Sequence, residues 1–251
     1  MTGYHKTILI FVVLLLALVV RQTRVVDMPD SVHTESAGER KGTTQSVGDD
    51  VTPEERAGHA SYMSPGELEV IAEINLLRSD PPGYARLRLE PLRVYYHSKL
   101  FFHPDRSPVP IQTLEGVAAL DECIRVLENT KPLARLTPCE GLTLAAREMT
   151  LEQGATKSTG HTGSSGSTMP ERIERYGTWN GLIAENISYG FNKPRDIIAF
   201  LLIDDGVPDR GHRVTLLDWE LNRVGVSIGS HRRYKHMCVM EFATVYQTNK
   251  P

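Results

Sequence analysis

The sequence predicts an α+β fold in which helices pack against a small antiparallel sheet. Three observations carry this prediction. Helical periodicity fills the first part of the domain, helical and strand-like segments mix in the middle, and two alternating strands close the chain. The chain has 251 residues, of which 24% are charged and 40% hydrophobic, and this composition is ordinary for a globular protein with one or two domains.

Residues 1–21 are predicted to be a signal peptide or an uncleaved signal anchor. Lys6 precedes the apolar run TILIFVVLLLALVV, which ends before Arg21. That length suits the hydrophobic region of a signal peptide better than a full membrane span. Because only Ala17 offers a small residue for cleavage, both alternatives stay open. Either one exports the chain, so we expect a secreted protein or one tethered to a membrane with its domain outside the cytoplasm.

Residues 22–63 are predicted to be a flexible polar linker, and residues 64–251 a folded domain. The linker has little hydrophobic periodicity. The first helix is predicted to begin at Ser64, with Pro65 in its first position and Glu67 completing a capping box. It is expected to stop before the DPPG sequence that contains Pro81.

Residues 84–112, which are rich in aromatic residues and proline, are predicted to be an irregular insertion packed on the core by its aromatic side chains. A helix is expected from Leu114. The next is expected to have Thr137 as its cap, Glu140 in the capping box and Gly154 as its left-handed end. A short helix follows, with Thr168 and Glu171 as its capping box.

Four elements are expected in the last third of the domain. The run LIAENISYG is predicted to be a strand, and KPRDIIAFLLIDDG an apolar helix. GHRVTLLD is expected to form a short helical turn. Two alternating strands follow, and the basic run HRRYKH between them is predicted to be a solvated hairpin turn.

Composition and short motifs argue against several classes of function. The formal net charge of −3 gives no general attraction for nucleic acid. The three cysteines, Cys123, Cys139 and Cys238, are too few for a disulfide-stapled fold, and an exported chain can pair two of them. No nucleotide-binding glycine motif occurs. The GSSGS run lacks the spacing and the preceding strand of a nucleophile elbow, which argues against a serine hydrolase.

Two imidazoles and nearby carboxylates are the candidate functional groups. His161 and His212 each follow a glycine, Glu185 lies in a strand-like run, and Asp204 and Asp205 end the apolar helix. Histidine nitrogens with carboxylate oxygens are a plausible ligand set for zinc or another divalent cation. The same residues can instead form a polar network in a cleft, and their spacing does not decide between these alternatives.

Five motifs in order resemble the CAP superfamily, which includes cysteine-rich secretory proteins, antigen five and pathogenesis-related proteins. They are GHTGSSGSTMPERIERYG, AENISYG, DRGHRVTLLD, RVGVSIG and CVMEFA. The nearer likeness is to the microbial SCP-like branch, and it covers residues 67–246. This resemblance implies a three-layer α-β-α sandwich with a shallow cleft lined by two histidines and two acids.

Carried over by motif, the cleft residues are His161, Glu185 and His212, with Asp204 or Asp205 as the second acid. Family members usually have a Trp before that acid, whereas this chain has the sequence AFLLIDDG. The resemblance implies an exported binding or interaction module for a lipid or other small hydrophobic molecule, a glycan or a partner protein. The alternative is a zinc-dependent hydrolase in the same cleft, with the enzyme reading less favoured because no further general base is apparent.

Overall fold

The computed structural model describes residues 11–12, 21–24, 62–105 and 109–249. Most of the predicted signal segment and linker lies outside these residues, so the boundaries of both segments remain predictions. Within the described part, two short strands come first, β1 (Phe11–Val12) and β2 (Arg21–Arg24). None of the helices in the described residues combines the length and the apolar character that a membrane span requires.

The first helix begins where the sequence predicts. Helix α1 (Pro65–Ser79) has Ser64 as its N-cap, and the backbone N–H of Ser64 donates to Glu67 Oε2 at 2.7 Å, as a capping box requires. Asp80 ends α1 and caps the single turn α2 (Pro81–Tyr84) by accepting from the backbone N–H of Gly83 at 2.9 Å. The proline pair therefore breaks one helix and starts the next.

The insertion is more regular than the sequence indicates. Tyr84 is followed by a π-helical turn (Ala85–Leu89), a 3₁₀ helix (Glu90–Tyr95) and three short strands, β3 (Tyr96–His97), β4 (Leu100–Phe101) and β5 (Ile111–Gln112). Together with β1, these three strands form a small sheet in the order β1-β5-β4-β3. The aromatic packing was predicted correctly, because the Phe101 ring is buried and lies 5.2 Å from the Phe200 ring.

The next two helices show one correct and one incorrect prediction. Helix α3 (Val117–Glu128) follows the insertion as expected. Thr137 and Pro138 do not cap a helix; they form strand β6 (Thr137–Pro138), parallel to a later strand, and helix α4 (Glu140–Gly154) begins after Cys139. Gly154 is still helical, and the cap residue is Ala155 in a right-handed conformation.

The remaining elements follow the predicted order. They are α5 (Met169–Tyr176), β7 (Gly177–Tyr189), α6 (Pro194–Ile203), α7 (Gly211–Leu216), β8 (Arg223–His231) and β9 (Lys235–Thr248). The Thr168 capping box at α5 is present, since the Thr168 N–H donates to Glu171 Oε2 at 2.8 Å. The basic run closes the β8–β9 hairpin as predicted, although its first residue, His231, is the buried end of β8 and is not solvated.

The main sheet has five strands in the order β2-β7-β9-β8-β6, and helices cover both faces. One face packs on α1, α3 and α6 through a core that includes Val224, Met240 and Phe242. The other face packs on α4 and α5 through two smaller clusters, one containing Ile183 and the other Ile187. This is the three-layer α-β-α sandwich that the resemblance implies.

Candidate functional site

His161 lies on a loop that three other side chains hold in place. The Gln153 side-chain amide donates to the Gly160 carbonyl at 2.7 Å, and the Tyr189 hydroxyl accepts from the Gly160 N–H at 3.1 Å. Further along, the Glu152 carboxylate accepts from the Ser165 hydroxyl at 2.8 Å. The glycine- and serine-rich sequence thus folds around partners on α4 and β7, and His161 is only 9% exposed.

Four charged or titratable side chains surround the buried end of this loop. His161 Nδ1 lies 2.6 Å from Glu185 Oε1, and Arg172 donates to Glu185 Oε2 at 2.6 Å. Glu241 stands directly opposite Glu185 on the neighbouring strand, with one oxygen 3.7 Å from Arg172. Arg172, Glu185 and Glu241 are all completely buried. Arg172 and Glu241 were not singled out as site residues from the sequence.

The two buried glutamates have opposite protonation preferences. Burial alone would raise the pKa of Glu185, but hydrogen bonding to His161 and the charge of Arg172 bring it below the usual range. Burial, together with the charge of Glu185, raises the pKa of Glu241 well above its usual range. Two adjacent carboxylates in a buried site do not both ionise easily. Of the two, Glu185 therefore favours the charged form and Glu241 favours the protonated form.

His212 makes an equivalent pair with Asp204. His212 Nδ1 lies 2.7 Å from Asp204 Oδ1, and the His212 backbone N–H donates to Asp204 Oδ2 at 2.9 Å. Asp204 caps the end of α6 in a left-handed conformation with φ of 53°, which turns its carboxylate toward the start of α7. Both residues are buried. The fold thus repeats one arrangement, an imidazole whose Nδ1 is held by a carboxylate.

Strand β7 connects the two pairs. Glu185 binds His161, while the side-chain amide of the next residue, Asn186, donates to the His212 carbonyl at 3.1 Å. Successive side chains of a strand point to opposite faces, so adjacent residues of β7 reach different partners. Within the described part of the chain, no hydrogen bond or ion pair joins one His–carboxylate pair to the other.

The two candidate acids at the end of α6 have different partners in the structure. Asp204 contacts His212, whereas Asp205 accepts from the backbone N–H groups of Leu114 and Glu115 at 2.6 and 2.7 Å. Asp205 therefore fastens the end of the insertion to α6 and does not touch either histidine. Among the described residues, the histidines, cysteines and acids form no group of three or more with metal-binding geometry.

All three cysteines are free thiols, so the pairing that the export prediction allowed is absent. Cys123 and Cys238 are buried, and burial raises the pKa of Cys123 to about 12. A thiol that is buried and protonated is unreactive. These two cysteines therefore serve as small core residues.

Comparison with known proteins identifies the family. The sequence model of the Cysteine-rich secretory protein family, CAP, matches residues 72–243. The chain belongs to the CAP family. The match spans the loop of His161, both His–carboxylate pairs and the main sheet except for β2 and the end of β9. No curated protein sequence matches the chain at a significant level.

Two solved structures of bacterial proteins are similar to this CAP chain. An outer surface protein from Borrelia burgdorferi has 19% sequence identity and a TM-score of 0.37, and the match covers 44% of this chain and 78% of that one. An extracellular protein containing an SCP domain, from Bacillus anthracis, has 18% identity and a TM-score of 0.34. That match covers 49% of this chain and 37% of the other.

Proposed function

We propose that this CAP protein is an exported binding module and that each of its two His–carboxylate pairs contributes a polar group to ligand binding. The observation that carries the proposal is the shared geometry of the pairs. Each Nδ1 is engaged by a buried carboxylate, and neither Nε2 makes a hydrogen bond to another described residue. A ring fixed at one nitrogen presents the other in a defined direction.

The chemistry of the two Nε2 atoms supports a particular kind of ligand group. A carboxylate on Nδ1 holds the proton there, so the Nε2 lone pair accepts hydrogen bonds in the neutral ring. Hydroxyl or amide groups of a ligand are suitable donors. We therefore assign to the site the polar end of a small hydrophobic molecule such as a sterol, a glycan hydroxyl, or a partner protein. Export of the chain belongs to this proposal and rests on the apolar N-terminal run.

The zinc-dependent hydrolase is the second candidate, and the same geometry bears on it. A carboxylate on the far nitrogen of a metal-bound histidine is a frequent supporting contact, so His161 Nε2 and His212 Nε2 are the atoms that would hold zinc. A catalytic zinc site usually has three protein ligands, and here Glu185 and Asp204 already bind the Nδ1 atoms. With both carboxylates engaged in this way, only the two Nε2 atoms are left as ligands, which makes the hydrolytic zinc site the weaker candidate.

Nuclear magnetic resonance of the histidine rings tests both candidates on the full chain. A panel of cholesterol, a chitin oligosaccharide and zinc chloride is titrated while the Cε1–H signals of His161 and His212 are followed. The binding-module proposal expects a saturable shift of both signals with one organic probe and none of the signals from exposed His97. Each variant, His161→Gln and His212→Gln, should abolish this response, whereas His97→Gln should leave it unchanged.

The outcomes separate the candidates. Shifts with zinc alone, together with zinc-dependent hydrolysis of an ester substrate, would replace the binding module with the hydrolase. No shift with any organic probe, in a sample whose other signals show a folded protein, would contradict recognition of these ligand classes through the imidazoles.

A further inference from the structure

A second surface lies on the outer side of α7 and the turn that follows it. A pocket of about 490 Å³ is lined by Val126, Val214, Leu217 and Trp219, together with Arg210, Arg213, Asp218 and Glu220. Trp219 is 72% exposed, and Val214 and Val126 are 45% and 39% exposed. The volume of this pocket is within the range of small-ligand sites, and neither candidate histidine lines it. We call it the Trp219 pocket.

The turn that carries Trp219 is fixed from beneath by a buried arginine. Arg78 is completely buried, and its guanidinium donates to the carbonyls of Leu216, Asp218 and Leu221 at 3.1, 2.9 and 3.2 Å. The Asp218 side chain also accepts from the Glu220 N–H at 2.8 Å. The indole therefore stands out from a rigid turn, and exposed Trp on a rigid support is typical of an interaction anchor.

The arginines of the Trp219 pocket have their donors already engaged. Arg213 binds both oxygens of Glu122, at 2.8 and 2.6 Å, and Arg210 binds both oxygens of Glu115, each at 2.7 Å. Hydrogen bonding to Arg210 is the main reason that the pKa of Glu115 is lowered to about 2, which keeps this ion pair intact. The charges of the two arginines are thus matched by two glutamates.

The Trp219 pocket offers a ligand an aromatic face, apolar walls and carboxylate oxygens. Glu220 is exposed at its rim, beside Asp218 and the indole. A cation over a Trp face is attracted by the ring, and a nearby carboxylate adds to that attraction. An alkyl stem that ends in an ammonium or guanidinium group complements these features, because its stem fits the valine and leucine walls.

We propose that the Trp219 pocket is a docking site for a basic peptide segment of a partner protein, with a Lys or Arg side chain placed over Trp219 and against Glu220. This interaction is separate from recognition at the His–carboxylate pairs. Because contacts of this kind are exposed, binding is expected to weaken as salt is added.

The two tryptophans of the chain allow a direct test. Trp179 is buried at 7% exposure, so full-length protein with Trp179→Phe leaves Trp219 as the sole tryptophan reporter. Hexalysine is titrated against its fluorescence, in parallel with hexaglutamate and a neutral maltooligosaccharide. We expect a saturable change with hexalysine alone, and about a five-fold weakening with Glu220→Gln in the same background.

A matched control distinguishes the pocket from general charge attraction. Glu69 is exposed on α1 and lines a different pocket, so Glu69→Gln removes the same charge elsewhere. It should leave hexalysine binding unchanged. Calorimetry on Trp219→Ala, which keeps the turn but removes the ring, should show binding lost. Equal effects of Glu69→Gln and Glu220→Gln, a preference for either other probe, or no binding to any probe would each overturn the proposal.

Discussion

At the scale of single residues, the clearest physical feature is the buried pair of glutamates between β7 and β9. Like charges directly opposite each other on adjacent strands are destabilising, and a buried unpaired carboxylate is more costly still. The pair is tolerated because Arg172 and His161 stabilise the charge of Glu185, while Glu241 stays protonated. Glu241 lies directly opposite Glu185 and 3.7 Å from Arg172, so its carboxyl group interacts with both although neither contact has the geometry of a full hydrogen bond.

Because the pKa of Glu241 is raised in the folded protein, we expect the free energy of unfolding to decrease as pH rises. An acid whose pKa is higher in the folded protein contributes most below its unfolded value near 4.5, and this contribution is lost as pH rises toward the folded value. Relative to Glu241→Gln, the wild type should lose about 1.4 kcal/mol of unfolding free energy per pH unit within that window.

Urea denaturation of the wild type and Glu241→Gln at a series of pH values measures this difference. The control is Glu69→Gln, which removes an exposed carboxylate of the same type. Parallel stability profiles for the wild type and Glu241→Gln would show that Glu241 is ionised in the folded protein.

At the scale of elements, the boundaries depend on contacts that a local pattern does not contain. Ser64 and Thr168 begin helices as their capping boxes predict, because those signals lie within four residues. The equivalent signal at Thr137 fails because Thr137 and Pro138 pair with β8, far along the chain. A distant strand thus overrides a local cap. The insertion was predicted to be irregular for the same reason, since its short strands pair with each other and with the distant β1.

Arg78 links three segments of the fold through one side chain: α1, on which it lies, the segment that contains Ala134, and the turn after α7. Besides the turn after α7, it donates to the Ala134 carbonyl at 2.7 Å, and burial lowers its pKa to about 10. Arg78→Lys keeps a cation but cannot reach four carbonyls with a single ammonium group. We expect a loss of about 2–4 kcal/mol in unfolding free energy, measured by urea denaturation.

The fluorescence of Trp219 supplies a second readout for this variant. Because Arg78 fixes the turn, Arg78→Lys in the Trp179→Phe background should make the Trp219 anisotropy decrease. Arg86→Lys, at an exposed position on the insertion, serves as the matched control. A variant as stable as the wild type would contradict the bracing role of Arg78.

At the scale of the whole molecule, the family and the layered fold were predictable from the sequence, and three residues of the candidate site were singled out from it. Motif order identified His161, Glu185 and His212, because each lies in a short recognisable sequence. The choice between Asp204 and Asp205 needed the structure, since it depends on a left-handed residue at the end of α6. Arg172 and Glu241 were missed because a charged residue in a helix or strand gives no local sign of complete burial. The pairing of each histidine with one acid also required the assembled fold.

The fold holds His161 and His212 in the same way, with Nδ1 against a carboxylate and Nε2 without a hydrogen-bond partner among the described residues. A long-range ¹H–¹⁵N spectrum of the imidazoles, recorded on the full chain at mildly alkaline pH and assigned with His161→Gln and His212→Gln, reads the protonated nitrogen of each ring. We expect the Nδ1–H form for both rings. An Nε2–H form with a bare Nδ1 in either ring would contradict it.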